Sequence, residues 1–187
     1  MAIKIYIDQG HNPVNPNAGA EGNGLREQNL VYTIGQELAA LLRANGNFEV
    51  RLSRPTPDTQ LGNSKASSLS ARVNEANAWG ADYFISLHTN ASSSPNAGGT
   101  EAYVFSVPSA AASLAEDIVE GVSEYTGLRD RGVFARSGLY VLRKTQMPST
   151  LVELGFISNP EEAALMRDRP DLFARGIYEG ILEYTGV

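Results

Sequence analysis

The chain has 187 residues, 42% of them hydrophobic and 19% charged, enough to bury a full core in one domain without metal or disulfide staples. A formal net charge of −6 with no Lys/Arg cluster argues against nucleic acid as a partner. Cysteine is absent, which excludes thiol catalysis, cysteine-ligated zinc and disulfides, and no apolar run approaches the ~18 residues of a membrane span.

In chain order, runs rich in Ile, Val, Tyr and Phe predict strands at 3–7, 48–52, 82–87, 100–105, 139–142 and 150–154. The first opens with no basic or long apolar leader before it, so no export signal is expected in this chain. It passes, within IYIDQGHNP, into a loop over 10–26 rich in Gly, Asn and Pro that carries His11, one of only two histidines. Leu30, Ile34, Leu38, Leu41 and Leu42 then fall on one face of a helix over 28–45, which Gly46 is placed to end. A second long loop, 54–68, follows the second strand.

Further helices are expected over 70–79, over 110–125 with Gly127 behind it, from Asn159 with Pro160 in the first turn, and after Pro170. Neither an internal repeat nor an interdomain linker is evident. Alternating strands and helices predict a single α/β domain over 1–187, with a twisted, mostly parallel sheet of about six strands and helices on both faces. Both long loops then fall at the carboxyl edge of the sheet, where open α/β folds place their ligands.

Four side chains are brought to that edge by this topology. His11 follows the first strand, His88 follows the apolar run YFISL, Glu27 in GLREQNL opens the first long helix, and Glu153 in TLVELGFISNP ends an apolar strand. Two neutral imidazoles and a carboxylate are a known ligand set for catalytic zinc, with a further carboxylate free to act as base. Plainer roles compete: each histidine as a loop residue bonded to backbone, Glu27 as a first-turn acid, and Glu153 as half of a buried ion pair with a nearby arginine.

At these residues the sequence resembles the zinc-dependent N-acetylmuramoyl-L-alanine amidases of the type 3 catalytic-domain family. The matching blocks are IYIDQGH, GNGLREQNL, RVNEANAWGADYFISLHTNAS, GGTEAYVF and LYVLRKTQMPSTLVELGFISNPEE, in family order over nearly the whole chain. The resemblance implies that His11, Glu27 and His88 bind one zinc ion and that Glu153 is the catalytic carboxylate. It also implies that the substrate is peptidoglycan, cut at the amide between the lactyl group of N-acetylmuramic acid and L-alanine of the stem peptide. Action at the cell wall follows, by a protein secreted or released by lysis. A monomer is expected, with any wall-binding domain carried elsewhere in a longer parent chain.

Rival readings are a wall-binding module without catalysis, a zinc peptidase cutting within the stem peptide, and a metal-free enzyme using the carboxylates alone. Where many family members read DPGHGG, this chain has DQGHNP, and Gln9, Asn12 and Pro13 are expected to alter the rim of the site. Asn90 and Glu101 are candidates for contacts behind the metal ligands or with substrate, and Arg72 for pairing with a carboxylate near the metal. Arg131 and Arg143 are candidates for holding the carboxylates of the stem peptide. Trp79 is expected in the core, and 105–139 is expected to hold one helix and a loop with nothing to plug the site.

Overall fold

A computed structural model describes residues 2–187. In chain order the elements are β1 (Ile3–Gln9), β2 (Glu21–Gly22), β3 (Leu25–Arg26), α1 (Glu27–Asn45), β4 (Phe48–Leu52), α2 (Lys65–Trp79), β5 (Tyr83–Asn90), β6 (Thr100–Val104), α3 (Ala110–Thr126), β7 (Asp130–Ala135), α4 (Tyr140–Lys144), β8 (Ser149–Phe156), α5 (Pro160–Asp168) and α6 (Pro170–Thr185). Six strands form one sheet in the order β4-β1-β5-β8-β6-β7. All neighbours are parallel except β6 and β8, so β6 begins at the edge where β1, β5 and β8 end. The short β2–β3 hairpin stands apart and feeds directly into α1.

Alternation along the strands divides the core into two layers. Ile5, Ile7, Ile85, Leu87, Val152 and Leu154 pack in the larger cluster with α1, α3 and α6, whereas Tyr6, Phe84 and Leu151 pack in a smaller one with Val73 and Ala76 of α2 and Val141 and Leu142 of α4. The smaller layer stops short of the carboxyl edge. There the same face continues as Asp8, Ser86, His88 and Glu153, polar residues that lie outside the smaller cluster.

Five expectations are corrected. The run LYVL at 139–142 is not a strand: residues 140–144 form the helix α4, with Arg143 N–H donating to Leu139 O at 3.0 Å. A four-residue apolar run suits either state, and burial of Val141 and Leu142 against α2 and β8 decides it. The sixth strand is instead β7, within the stretch read as a loop, where Gly132 and two flanking charges mask the pattern. Helix α2 starts five residues earlier than expected, because Ser64 and Ser67 form a reciprocal capping box. Trp79 is half-buried rather than core, its ring flanked by Lys4 and Arg51. The fifth correction concerns Gln9 and Asn12 and is taken up below.

Candidate metal centre

Each of the three metal-ligand candidates comes from a different kind of backbone. Beyond β1, Gly10 N–H donates to Leu87 O at 3.0 Å, and the chain then turns through His11 at φ 66°, a left-handed conformation uncommon for a side chain of this size. Glu27 is the first residue of α1, where the helix dipole favours its negative charge. His88 projects from β5 on the same face as Ser86.

The three converge. Glu27 Oε1 lies 3.2 Å from His11 Nε2 and 3.0 Å from His88 Nδ1, and one donor atom from each residue falls within 4.8 Å of the others. Two ligands bound at ~2.1 Å to one tetrahedral ion stand about 3.4 Å apart, so these spacings suit a shared cation. Glu27 is held by two backbone groups: Oε2 accepts from Ala20 N–H at 2.8 Å and Oε1 from Thr89 N–H at 3.0 Å. Burial alone would raise its pKa, but the two histidines hold its carboxyl well below the usual range. Burial likewise works against a charged His88, and its bond to Glu27 reverses the sign and raises its pKa.

Glu153 stands beside His88, its register partner on β8, and both line one cavity of about 240 Å³ together with His11, Asn17, Lys65, Leu69, Tyr103, Leu139, Tyr140 and Val141. Burial pushes the Glu153 carboxyl up to about 7; His88 draws it partly back, while Glu27 and Glu101 push it further up. Two buried atoms here have no hydrogen-bond partner among the described residues, His11 Nδ1 and Glu153 Oε2. Unsatisfied groups of this kind are costly in a finished core and ordinary in a site built for a ligand. With the donor set of two nitrogens and one anionic oxygen, they make the site a fit for zinc.

The remaining candidates separate. Glu101 pairs in register with Glu153 and is buried; Tyr103 OH and Asn90 Nδ2 donate to its Oε1 and Arg131 Nε to its Oε2. Arg131 is thus committed to Glu101 and lies over the Phe156 ring. Arg72 is buried and paired with Asp8. Arg143 lines a different cavity, with Phe105, Ser109 and Met147, and is not brought to the centre. Lys65 escaped the sequence reading: it lines the central cavity, where the other cation, Arg72, is already paired. Its lone signal was its place in the second long loop.

Gln9 and Asn12 do not form a rim. Both are fully buried. Gln9 Oε1 accepts from Arg54 N–H at 3.0 Å and its Nε2 donates to Tyr32 O at 3.2 Å. Asn12 Nδ2 donates to Pro16 O and Leu61 O, and its Oδ1 accepts from Leu61 N–H. Their amides have found backbone partners in the two long loops and in α1, which keeps them from the surface where a polar residue would otherwise lie.

The sequence profile of a family described as N-acetylmuramoyl-L-alanine amidase matches residues 5–183. The chain is 37% identical over 184 residues to the N-acetylmuramoyl-L-alanine amidase LytC of Bacillus subtilis, covering 96% of this chain and 35% of that one. To the N-acetylmuramoyl-L-alanine amidase CwlM of Bacillus licheniformis it is 36% identical over 185 residues, covering 96% and 67%. It therefore spans about a third of the first relative and two thirds of the second. Among solved structures, the catalytic domain of the amidase CwlV from Bacillus (Paenibacillus) polymyxa superimposes with a TM-score of 0.86 at 33% identity, covering 99% of both chains. An N-acetylmuramoyl-L-alanine amidase from Clostridium difficile 630 gives 0.88 at 29%, covering 99% and 97%.

Proposed function

Because the chain belongs to the N-acetylmuramoyl-L-alanine amidase family, we propose that it hydrolyses the amide between the lactyl group of N-acetylmuramic acid and L-alanine in peptidoglycan, with one zinc ion held by His11, Glu27 and His88. The observation that carries this reading is the approach of both imidazoles to one oxygen of Glu27, with the unpartnered carboxylate oxygen of Glu153 in the same cavity. Zinc held there supplies Lewis acidity toward a carbonyl and water, and a positive charge that draws the Glu153 pKa down.

The protein's own groups do the rest. Glu153, ionised, accepts the proton of the water that attacks the lactyl carbonyl and returns it to the alanine nitrogen as the C–N bond breaks. Burial of Glu27 and its two backbone N–H bonds keep the ligand oxygen from swinging away between turnovers. The apolar wall of Leu69, Leu139, Tyr140 and Val141 excludes water from one side of the reacting atoms, and Lys65 offers a positive charge at the same wall to a substrate that carries carboxylates. Wall attachment is assigned to another module of a longer protein, since a net charge of −6 gives no attraction to anionic wall polymers.

Digestion of purified peptidoglycan with and without EDTA, followed by mass analysis, tests the proposal. Free stem peptides beginning with L-alanine are expected, lost with chelator and restored by zinc. Cleavage inside the stem peptide would instead favour a zinc peptidase. Glu153→Gln is expected to retain zinc while losing at least ~10²-fold in turnover; loss of zinc from this variant would make Glu153 a ligand and not the base.

A further inference from the structure

His11 is the one ligand carried by irregular backbone, and its φ of 66° has to be held by something outside the residue. One buried guanidinium is placed to do this. Arg72 Nη1 donates to Gln9 O at 2.8 Å and to Asp8 Oδ1 at 2.5 Å, while Nη2 donates to His11 O at 2.5 Å and reaches Asn12 Oδ1 at 3.3 Å. Four of the five residues from 8 to 12, all but Gly10, are thereby gathered around a single side chain that is 1% exposed.

An ion pair serving the core alone would need no more than Asp8. Here one nitrogen of the fork faces away from that carboxylate and is given to the carbonyl of the ligand residue and to the side chain after it. Asp8 in turn fixes the guanidinium from the sheet: its Oδ2 accepts from Ser86 Oγ at 2.7 Å, two residues before His88 on β5. Asn12 closes the arrangement by bonding the loop of His11 to Pro16 and Leu61.

We propose that Arg72 is a positioning residue for the metal centre, its guanidinium fixing the backbone of residues 9–12 so that the His11 ring stays directed at Glu27. The inference rests on the ligand assignment made under Proposed function and goes beyond it by giving a role to a residue outside that ligand set. Lysine keeps the charge but, as a compact point charge, does not reproduce the planar fork that reaches both carbonyls and Asp8 together.

The test is the zinc affinity of the folded protein, measured by competition with a chromogenic chelator for wild type, Arg72→Lys, Arg72→Met and Asn12→Ala, with circular dichroism and thermal melting of the metal-free proteins alongside. Val119→Ala, in the distant α3 packing, serves as a variant that loses stability without touching the network. Arg72→Lys is expected to weaken zinc binding by roughly 10- to 100-fold, the range seen when groups behind metal ligands are removed. Asn12→Ala should weaken it by a smaller factor, and Val119→Ala should leave it within about twofold. Arg72→Lys binding zinc as wild type does, with only its melting temperature lowered, would overturn the proposal. Should neither Arg72 variant fold, Asn12→Ala decides, and unchanged affinity there overturns it equally. A wild-type chain that takes up no zinc would strike the ligand assignment itself, which separates the two failures.

Discussion

Two glycines leave the room in which the candidate ligand side chains meet. A Cβ on Gly10 would fall 2.6 Å from the His88 ring, and one on Gly19 would fall 2.7 Å from Glu27 Oε2 and 2.9 Å from His11 Cδ2. None of these neighbours is the loose end of a flexible chain, since Oε2 is already held by Ala20 N–H. Gly19→Ala is therefore expected to lower zinc affinity at least tenfold, and overpacking of about 1–3 kcal/mol should lower the melting temperature of the metal-free protein by several degrees. Chelator competition beside a melting curve checks both. That the two histidines meet at one centre was legible in the sequence because histidine is scarce here and both copies follow strand-like runs. Gln9 and Asn12 misled for a physical reason: a side-chain amide reads as exposed until the backbone groups that will satisfy it are known, and Leu61, Tyr32 and Arg54 are distant in sequence. Lys65, Tyr103 and Tyr140 share a cavity only through tertiary packing, so no local pattern announces them.

Between elements, the decisive joint is that of β1 with α2, made by Asp8 and Arg72. Burial alone would raise the Asp8 carboxyl, but Arg72 and the Ser86 hydroxyl hold it below the usual carboxylate range. A depressed folded pKa means that this contribution to stability is complete above the unfolded value of ~4 and is lost as pH falls through the folded one. Asp8→Asn, which leaves a buried guanidinium uncompensated, is expected to cost about 3–5 kcal/mol at pH 7. The gap to wild type should narrow below pH 4 in urea titrations of the metal-free protein; a gap constant with pH would mean that Asp8 is not ionised in the native state. Most elements were readable from periodicity and caps, as Gly46 ending α1 and Pro160 opening α5 illustrate. The exceptions are instructive: α4 is too short to show a period, and β7, an edge strand with one neighbour, needs little apolar patterning and displays little.

For the molecule as a whole, the side-chain exposures of His11 and His88, 20% and 18%, together with the cavity they line, leave the centre reachable from solvent. The stretch 105–139 holds α3 and β7, and neither lines that cavity. Activity on purified peptidoglycan is accordingly expected without any added protein partner, and a domain that stays silent until a partner is supplied would contradict it. A net charge of −6 facing an anionic polymer further predicts that digestion of intact walls speeds up from low to physiological salt, as the Debye length falls to ~8 Å. The strand order carries one more consequence, which concerns time. The strand that arrives last in synthesis, β8, fills the middle of the sheet between β5 and β6, both made earlier. A nascent domain that has already displayed His11, Glu27 and His88 thus lacks both Glu153 and the strand that joins its two halves until β8 is made, so a chain broken before residue 149 is expected to be inert rather than weakened.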